Sequence, residues 1–359
     1  MRTFSITLLF FLFSVSSGAK YAGEFLSIGA GARGLGMGGA FCAVVDDASA
    51  GYWNSSRLYL VDGQQVQFMH SERFGGIVKY DYLGYGRSDG LTGLGASLFR
   101  TDVGDIANTN NLQFYDTGSD GVFGVDGTGE PGDAGNDDYD PLTNPHGTEG
   151  NNEWDPGEEI IYDVGRITYG NGVDWALYLS WSRNLNSVFS VGASAKVIER
   201  GLMDHSAFGL GIDISAKYQP SEALSIGLNL QDISGTYLFW DTGSKESILP
   251  TVKLGIALKW PISKFATVAT IAADGDFRFE GREYSTQYNF SGISLDTHLG
   301  VEFLIKDLVA LSIGSAEGSL TGGLGLQLNL INHPVSLDYA YLSHQELDAT
   351  HRMSLGAGF

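Results

Sequence analysis

From Gln64 onward, apolar and small-or-polar positions alternate with a period of two. In "TVKLGIALKW", Val252, Leu254, Ile256, Leu258 and Trp260 share one face, and Lys253, Gly255, Ala257 and Lys259 share the other. In "AFGLGIDISAKY", Phe208, Leu210, Ile212 and Ile214 alternate with Gly209, Gly211, Asp213 and Ser215. "DTHLGVEFLI" and "LTGGLGLQLNL" repeat the pattern. Successive side chains of a strand point to opposite faces, so each segment reads as a strand with one apolar side. Fourteen such segments are predicted, near 64–72, 76–87, 90–101, 173–183, 187–199, 207–219, 222–232, 250–260, 264–274, 292–304, 307–315, 319–331, 335–343 and 349–358.

A soluble sandwich would alternate in the same way. Three features point instead to a barrel in a membrane. The segments are long enough to cross a bilayer at a tilt, and their polar faces carry the glycine and charge that suit a lumen. Their connections also alternate between short and long. Ser88–Asp89 is typical of the short set, and 102–172, 200–206, 233–249 and 275–291 are the long ones. An even strand count with short turns on one side and long loops on the other is the pattern of bacterial outer-membrane barrels. The expected fold is therefore all-β: a 14-stranded antiparallel transmembrane β-barrel at 64–359. Both termini would be periplasmic, and 102–172 would form an extracellular loop. Trp175, Trp181 and Trp260 sit on the apolar face, where an interfacial aromatic girdle is expected.

Composition agrees. Glycine makes up 50 of the 359 residues, about twice the usual share, and Tyr (17) and Phe (20) are plentiful. The net charge of −21 argues against a nucleic-acid partner. Sixteen of the carboxylates fall between Thr101 and Gly165, where there is no Lys or Arg; the rest of the chain is nearly balanced. The single Cys42 excludes an internal disulfide and reads as a small buried residue. "MRTFSITLLFFLFSVSSGAK" opens with Arg2, an apolar run from Ile6 to Val15, and small residues Ser17 and Ala19 ahead of Lys20. Residues 1–19 read as a signal peptide, too short to span a membrane.

That leaves 20–63. "GAGARGLGMGG" contains Gly29-x-Gly31-x-x-Gly34, the spacing of a dinucleotide-binding loop. The context is wrong for one. Gly36, Gly38 and Gly39 weaken any following helix, and Asp46 and Asp47 come too early for the ribose-binding acid. The longer stretch "AGEFLSIGAGARGLGMGGAFCAVVDDASAGYWNSSRL", residues 22–58, resembles the opening of PorV/PorQ-type outer-membrane proteins, within the FadL-like barrel superfamily. "HLGVEF", "LTGGLGLQL", "LDYAY" and "THRMSLGAGF", between Asp296 and Phe359, extend the resemblance to the C-terminus. Where such proteins continue Tyr-Trp-Asn with Pro-Ala-Gly, this chain has Ser55, Ser56 and Arg57, which implies a looser local turn. The resemblance implies that 20–63 form a plug inside the periplasmic end of the barrel. It also implies one of two jobs. The first is docking in a type IX-like secretion or surface-attachment machinery, with secreted proteins as partners. The second is FadL-like uptake of hydrophobic small molecules; the polar 102–172 loop favours the first, and the apolar "ISGTYLFWDTG" keeps the second open. A purely structural barrel is the third reading. In each, outer-membrane lipid and lipopolysaccharide surround the wall.

Two groups of residues are candidates for chemistry. Arg33, Asp46, Asp47 and Asn54 of the plug and Lys196, Asp213, Lys217, Lys253, Lys259, Glu302 and Asp338 of the wall point to a charged lumen. These either line a solute path or form ion pairs that fix the plug. In the acidic insert, Asp116, Asp120, Asp126, Asn151, Glu153, Asp155 and Glu158 have part of the oxygen-rich spacing of a Ca2+ loop. The alternative there is a solvated acidic loop. No other cofactor is expected. His-Glu-x-x-His and Gly-x-Ser-x-Gly motifs are absent, and no enzymatic activity is expected.

Overall fold

A computed structural model describes residues 23–119, 121, 137–161, 163–279, 286–331, 333–343 and 349–359. The leader 1–19, Asp120 and Asp126 lie outside the described residues. Fourteen antiparallel staves close into a barrel. The first seven are β1 (Gln64–Arg73), β2 (Val78–Ser88), β3 (Thr92–Asn108), β4 (Thr168–Asn184), β5 (Phe189–Leu202), β6 (His205–Tyr218) and β7 (Leu224–Gln231, resuming at Thr236–Trp240). The second seven are β8 (Lys245–Ile248, resuming at Thr251–Ile262), β9 (Thr267–Arg278), β10 (Ser294–Ile305), β11 (Val309–Ala316), β12 (Ser319–Leu330), β13 (His333–Leu342) and β14 (Thr350–Gly358). β1 pairs with β14 from Gln65↔Gly358 to Glu72↔His351, and this closes the ring. Each stave lies where the alternation placed it, within a few residues, except for β3 and β4, which run further into the expected insert, and β7 and β8, which run further toward each other.

Two stretches differ. Residues 200–206, expected as a long connection, are strand closed by a two-residue turn, with Leu202 paired to His205. Residues 233–249, expected as a long connection, are largely strand: Thr236–Trp240 pairs with Lys245–Ile248. β7 faces β6 on both sides of its interruption, with Leu230↔Ile214 below and Tyr237↔Leu210 above. Three more residues lie between those pairs on β7 than on β6, so 232–235 bulge from the ladder. Asp232 and Gly235 have φ of 54° and 70° there.

The wall is apolar outside and mostly small or charged inside, apart from an inward cluster that includes Tyr80, Tyr82, Phe99 and Tyr178. Leu254, Ile256, Leu258 and Trp260 are exposed on the outer face, whereas Lys196, Asp213, Glu302 and Asp338 are buried on the inner one. The apolar core is inside the barrel and is built around the plug. Ala30, Met37, Phe41, Val44 and Val45 are fully buried. Plug residues Tyr52 and Trp53 pack edge-on at 5.0 Å, and Tyr52 meets the wall's Phe99 at 5.3 Å. Each such aromatic pair adds about 0.5–1.5 kcal/mol beyond burial.

The glycine-rich opening now has a structural explanation. Gly31, at φ 74°, starts the single-turn helix α1 (Ala32–Gly36). A Cβ on Gly34 would stand 2.8 Å from the Phe41 ring. "EFLS" is a 3-10 turn, not a strand. The wall makes room in the same way: a Cβ on Gly192 would lie 2.3 Å from the backbone nitrogen of Ser56. Gln64 and Phe359 meet at one rim. Gly23 lies instead against Ile248, toward the opposite rim, so the plug threads most of the lumen rather than capping one end.

The insert, residues 105–171, is a separate compact unit. Within it, Gln113–Tyr115 pairs with Glu159–Ile161, and Asp138 bridges to Glu149.

Seating of the plug against Gly192 is testable. In Gly192→Val the new side chain displaces the turn at Ser55–Ser56. Unboiled samples should keep the gel mobility of a closed barrel while residues 23–63 become open to protease. A digestion pattern identical to that of the parent would refute this contact.

Candidate functional site

The lumen is held by ion pairs between plug and wall. α1 is anchored at its start, where the Ala32 N–H donates to Ser354 Oγ at 2.7 Å. This aims Arg33 at β10. Its Nε and Nη2 donate to the two Glu302 oxygens at 2.8 Å each, and Nη1 donates to Asp46 at 2.7 Å. A two-pronged guanidinium–carboxylate contact fixes geometry as well as charge. Burial opposes the charged form of Asp46, but Arg33, with Lys259 beyond it, outweighs burial and holds the carboxyl below its ordinary value. Burial prevails at Asp47 and pushes its carboxyl up. Lys259, about two-fifths exposed, reaches Asp46 at 4.0 Å.

Further round the wall, Lys196 bridges Asp213 at 2.9 Å and Asp232 at 2.8 Å. Lys253 pairs with Asp276, and Arg278 with Asp296. Lys217 donates to the Tyr59 hydroxyl of the plug. Asn54 donates from Nδ2 to the Cys42 carbonyl at 2.9 Å and accepts from the Ser56 N–H, capping the 3-10 turn Ser55–Leu60. Ser55, Ser56 and Arg57 do not loosen the plug. Ser55 and Ser56 both hydrogen-bond to Ser215 Oγ, and Arg57 donates to Val45 O, Val44 O and Ser225 Oγ.

Several lumen residues were missed by the sequence reading: Asp232, Asp274, Asp276, Arg278, Asp296, Arg73 and Arg352. Asp274, Asp276 and Arg278 follow the same period of two and could have been found. Asp274 holds the plug by accepting the backbone N–H groups of Phe41 and Cys42 at 2.9 and 2.8 Å. Asp232 carried no such signal, because it stands at the bulge where the period breaks.

The insert's described candidate ligands engage one another and nearby backbone amides. Asp116 accepts from the Gly150 and Asn152 N–H groups. Glu158 accepts from Gly118 and Asp155 N–H groups, and Asn151 binds Asp155 through its side-chain amide. Asn151 Oδ1 accepts from the Glu153 N–H at 2.6 Å. Among the described residues no three acidic, His or Cys side chains gather closely enough to hold a metal by themselves.

Two cavities flank the plug. The one at the rim shared by Gln64 and Phe359 holds about 320 Å³ and is acidic, lined by Asp46, Asp47, Glu302, Asp307 and Asp338 around Arg33. The one on the loop side holds about 280 Å³. Leu35, Tyr52 and Trp53 lie on its plug side, and Arg73, Arg278 and Arg352 on its wall. A smaller pocket of about 30 Å³ reaches the bulge at Asp232 and shares Ser27 and Arg278 with it.

No protein-family model matches the chain. No curated protein matches it either. Solved structures do. The Ralstonia pickettii toluene transporter TbuX superposes with a TM-score of 0.53 at 12% identity, covering 92% of this chain and 98% of that one. A Pseudomonas aeruginosa FadL homologue gives 0.52 at 11% identity, over 92% and 98%. The CymD monoaromatic hydrocarbon channel gives 0.51 at 11%, again over 92% and 98%. The chain therefore has the fold of these FadL-like barrels from end to end.

The Arg33 clamp carries a further prediction. Glu302→Gln removes one charge of a pair in which Glu302 is buried, a loss of about 3 kcal/mol. Amide hydrogen exchange across 32–46 should speed up about a hundredfold, with the wall unchanged. Unaltered exchange there would show that the clamp does not hold the plug.

Proposed function

We propose that this protein is an outer-membrane channel that admits hydrophobic small molecules from the loop side and releases them sideways through the wall. The observation that carries this reading is the end-to-end likeness to barrels described as toluene and monoaromatic hydrocarbon transporters. Two features of the lumen support it. The plug and the acidic cavity beneath it make the straight route a poor one for an apolar solute. The bulge at 232–235 breaks the ladder beside the small pocket that shares Ser27 and Arg278 with the loop-side cavity, and its neighbours Tyr237 and Phe239 are exposed on the outer face. In this orientation the insert is extracellular and the rim of Gln64 and Phe359 is periplasmic. Docking in a secretion machinery, the other job the resemblance implied, draws no support from the three barrels named above.

The test is uptake of labelled toluene by cells with an intact outer membrane and no hydrocarbon channel of their own. Cells displaying the protein should accumulate label several times faster than empty-vector cells. Deleting Ile233–Gly235, which restores an even ladder, should return uptake to the empty-vector rate at equal surface expression. Parent-chain uptake no faster than empty vector would dismiss the channel, and undiminished uptake by the deletion would dismiss the sideways exit.

A further inference from the structure

Most cations in the lumen have a carboxylate. Lys253 and Arg278 of the loop-side cavity share Asp276, and Arg278 also holds Asp296. Arg352 and Arg73 differ. Arg352 on β14 is 3% exposed. Its Nε and that of Arg73 are buried without a hydrogen-bond partner, and among the described residues neither guanidinium forms an ion pair. They are close neighbours by register: Arg352 stands opposite Ser71, and Arg73 is the next residue on that face of β1. Like charges on adjacent strands repel, and a buried cation without a counter-charge costs several kcal/mol. Both line the loop-side cavity, where Glu24 and Glu317 act on Arg73 through space and Arg73 lies over the Phe74 ring at 4.8 Å, so Arg352 is the less compensated of the two.

We infer that Arg352 and Arg73 form a subsite for the anionic group of a compact organic acid whose apolar body rests on Leu35, Tyr52 and Trp53. This rests on the channel reading and narrows its substrate class. A guanidinium pair matches a carboxylate in charge and in planar geometry. The opposite side of the same cavity is apolar and aromatic. The volume of about 280 Å³ is at the small end for ligand pockets and accepts one ring or a short chain, not a long acyl tail. An aromatic carboxylate satisfies all three conditions, and a neutral hydrocarbon leaves Arg352 without an ion-pair partner.

The experiment is calorimetric titration of the purified full chain in detergent with benzoate, with inorganic phosphate as competitor, beside toluene and benzoate uptake by cells. The parent should bind benzoate. Arg352→Gln should weaken binding at least tenfold, and Arg73→Gln severalfold; Arg352→Lys should restore part of the loss. Arg87→Gln, on the exposed outer side of β2, should bind like the parent. No benzoate binding by the parent, or equal binding by both glutamine variants, overturns the inference. Displacement of benzoate by equimolar phosphate also overturns it, because the site would then recognise any anion. Toluene uptake without benzoate binding would remove this subsite and leave the channel standing. Benzoate binding without uptake of either compound would do the reverse.

Discussion

Everything in this molecule depends on filling a wide lumen. Closing fourteen strands removes every sheet edge, but it encloses more space than the wall's own side chains can occupy. Residues 23–63 fill it. They contribute more than half of the fully buried apolar side chains among the described residues, while the wall places many large apolar residues outside and turns a cluster including Tyr80, Tyr82, Phe99 and Tyr178 inward to meet the plug. The order is inverted relative to a soluble protein, whose sheets bury their apolar faces against one another. Here the strands turn glycine, serine and charge inward, and the plug brings Met37, Phe41, Val44 and Val45 to meet them.

That inversion sets the electrostatics. Charges on the inner wall lose water when the plug seats, so each needs a partner. Arg33 with Glu302 and Asp46, Lys196 with Asp213 and Asp232, and Asp274 with two backbone amides of the plug satisfy this need. Such contacts tie the plug to several staves at once. They also sort the two cavities: the one at the rim of Gln64 and Phe359 is acidic around a single arginine, and the loop-side one holds Arg352 and Arg73, which form no ion pair among the described residues.

Much of this was legible in the chain. Alternation located all fourteen staves, because a lipid-facing and a lumen-facing residue must follow one another along every strand. The same alternation marked Lys196, Asp213, Lys253, Glu302 and Asp338 as inward. It failed at 233–249, where the bulge at Asp232 shifts the register and an apolar hairpin looks like a loop. Ser55, Ser56 and Arg57 looked like a weakened turn. Their hydrogen bonds to Ser215, to Ser225 and to the carbonyls of Val44 and Val45 join residues far apart in sequence, and nothing local signals them.

The sequence by itself determined the strands, their facing and the acidic insert, because these follow from short-range periodicity and from composition. It also marked the opening glycines as structural rather than nucleotide-binding. The tertiary structure alone decided which charge meets which, because partners such as Arg33 and Glu302 are brought together only by closure of the ring. It likewise decided where the plug leaves space, and that Arg352 and Arg73 face one cavity without an ion pair among the described residues. Those outcomes depend on strand register and on the path of the plug through the lumen, which are set by packing over the whole barrel.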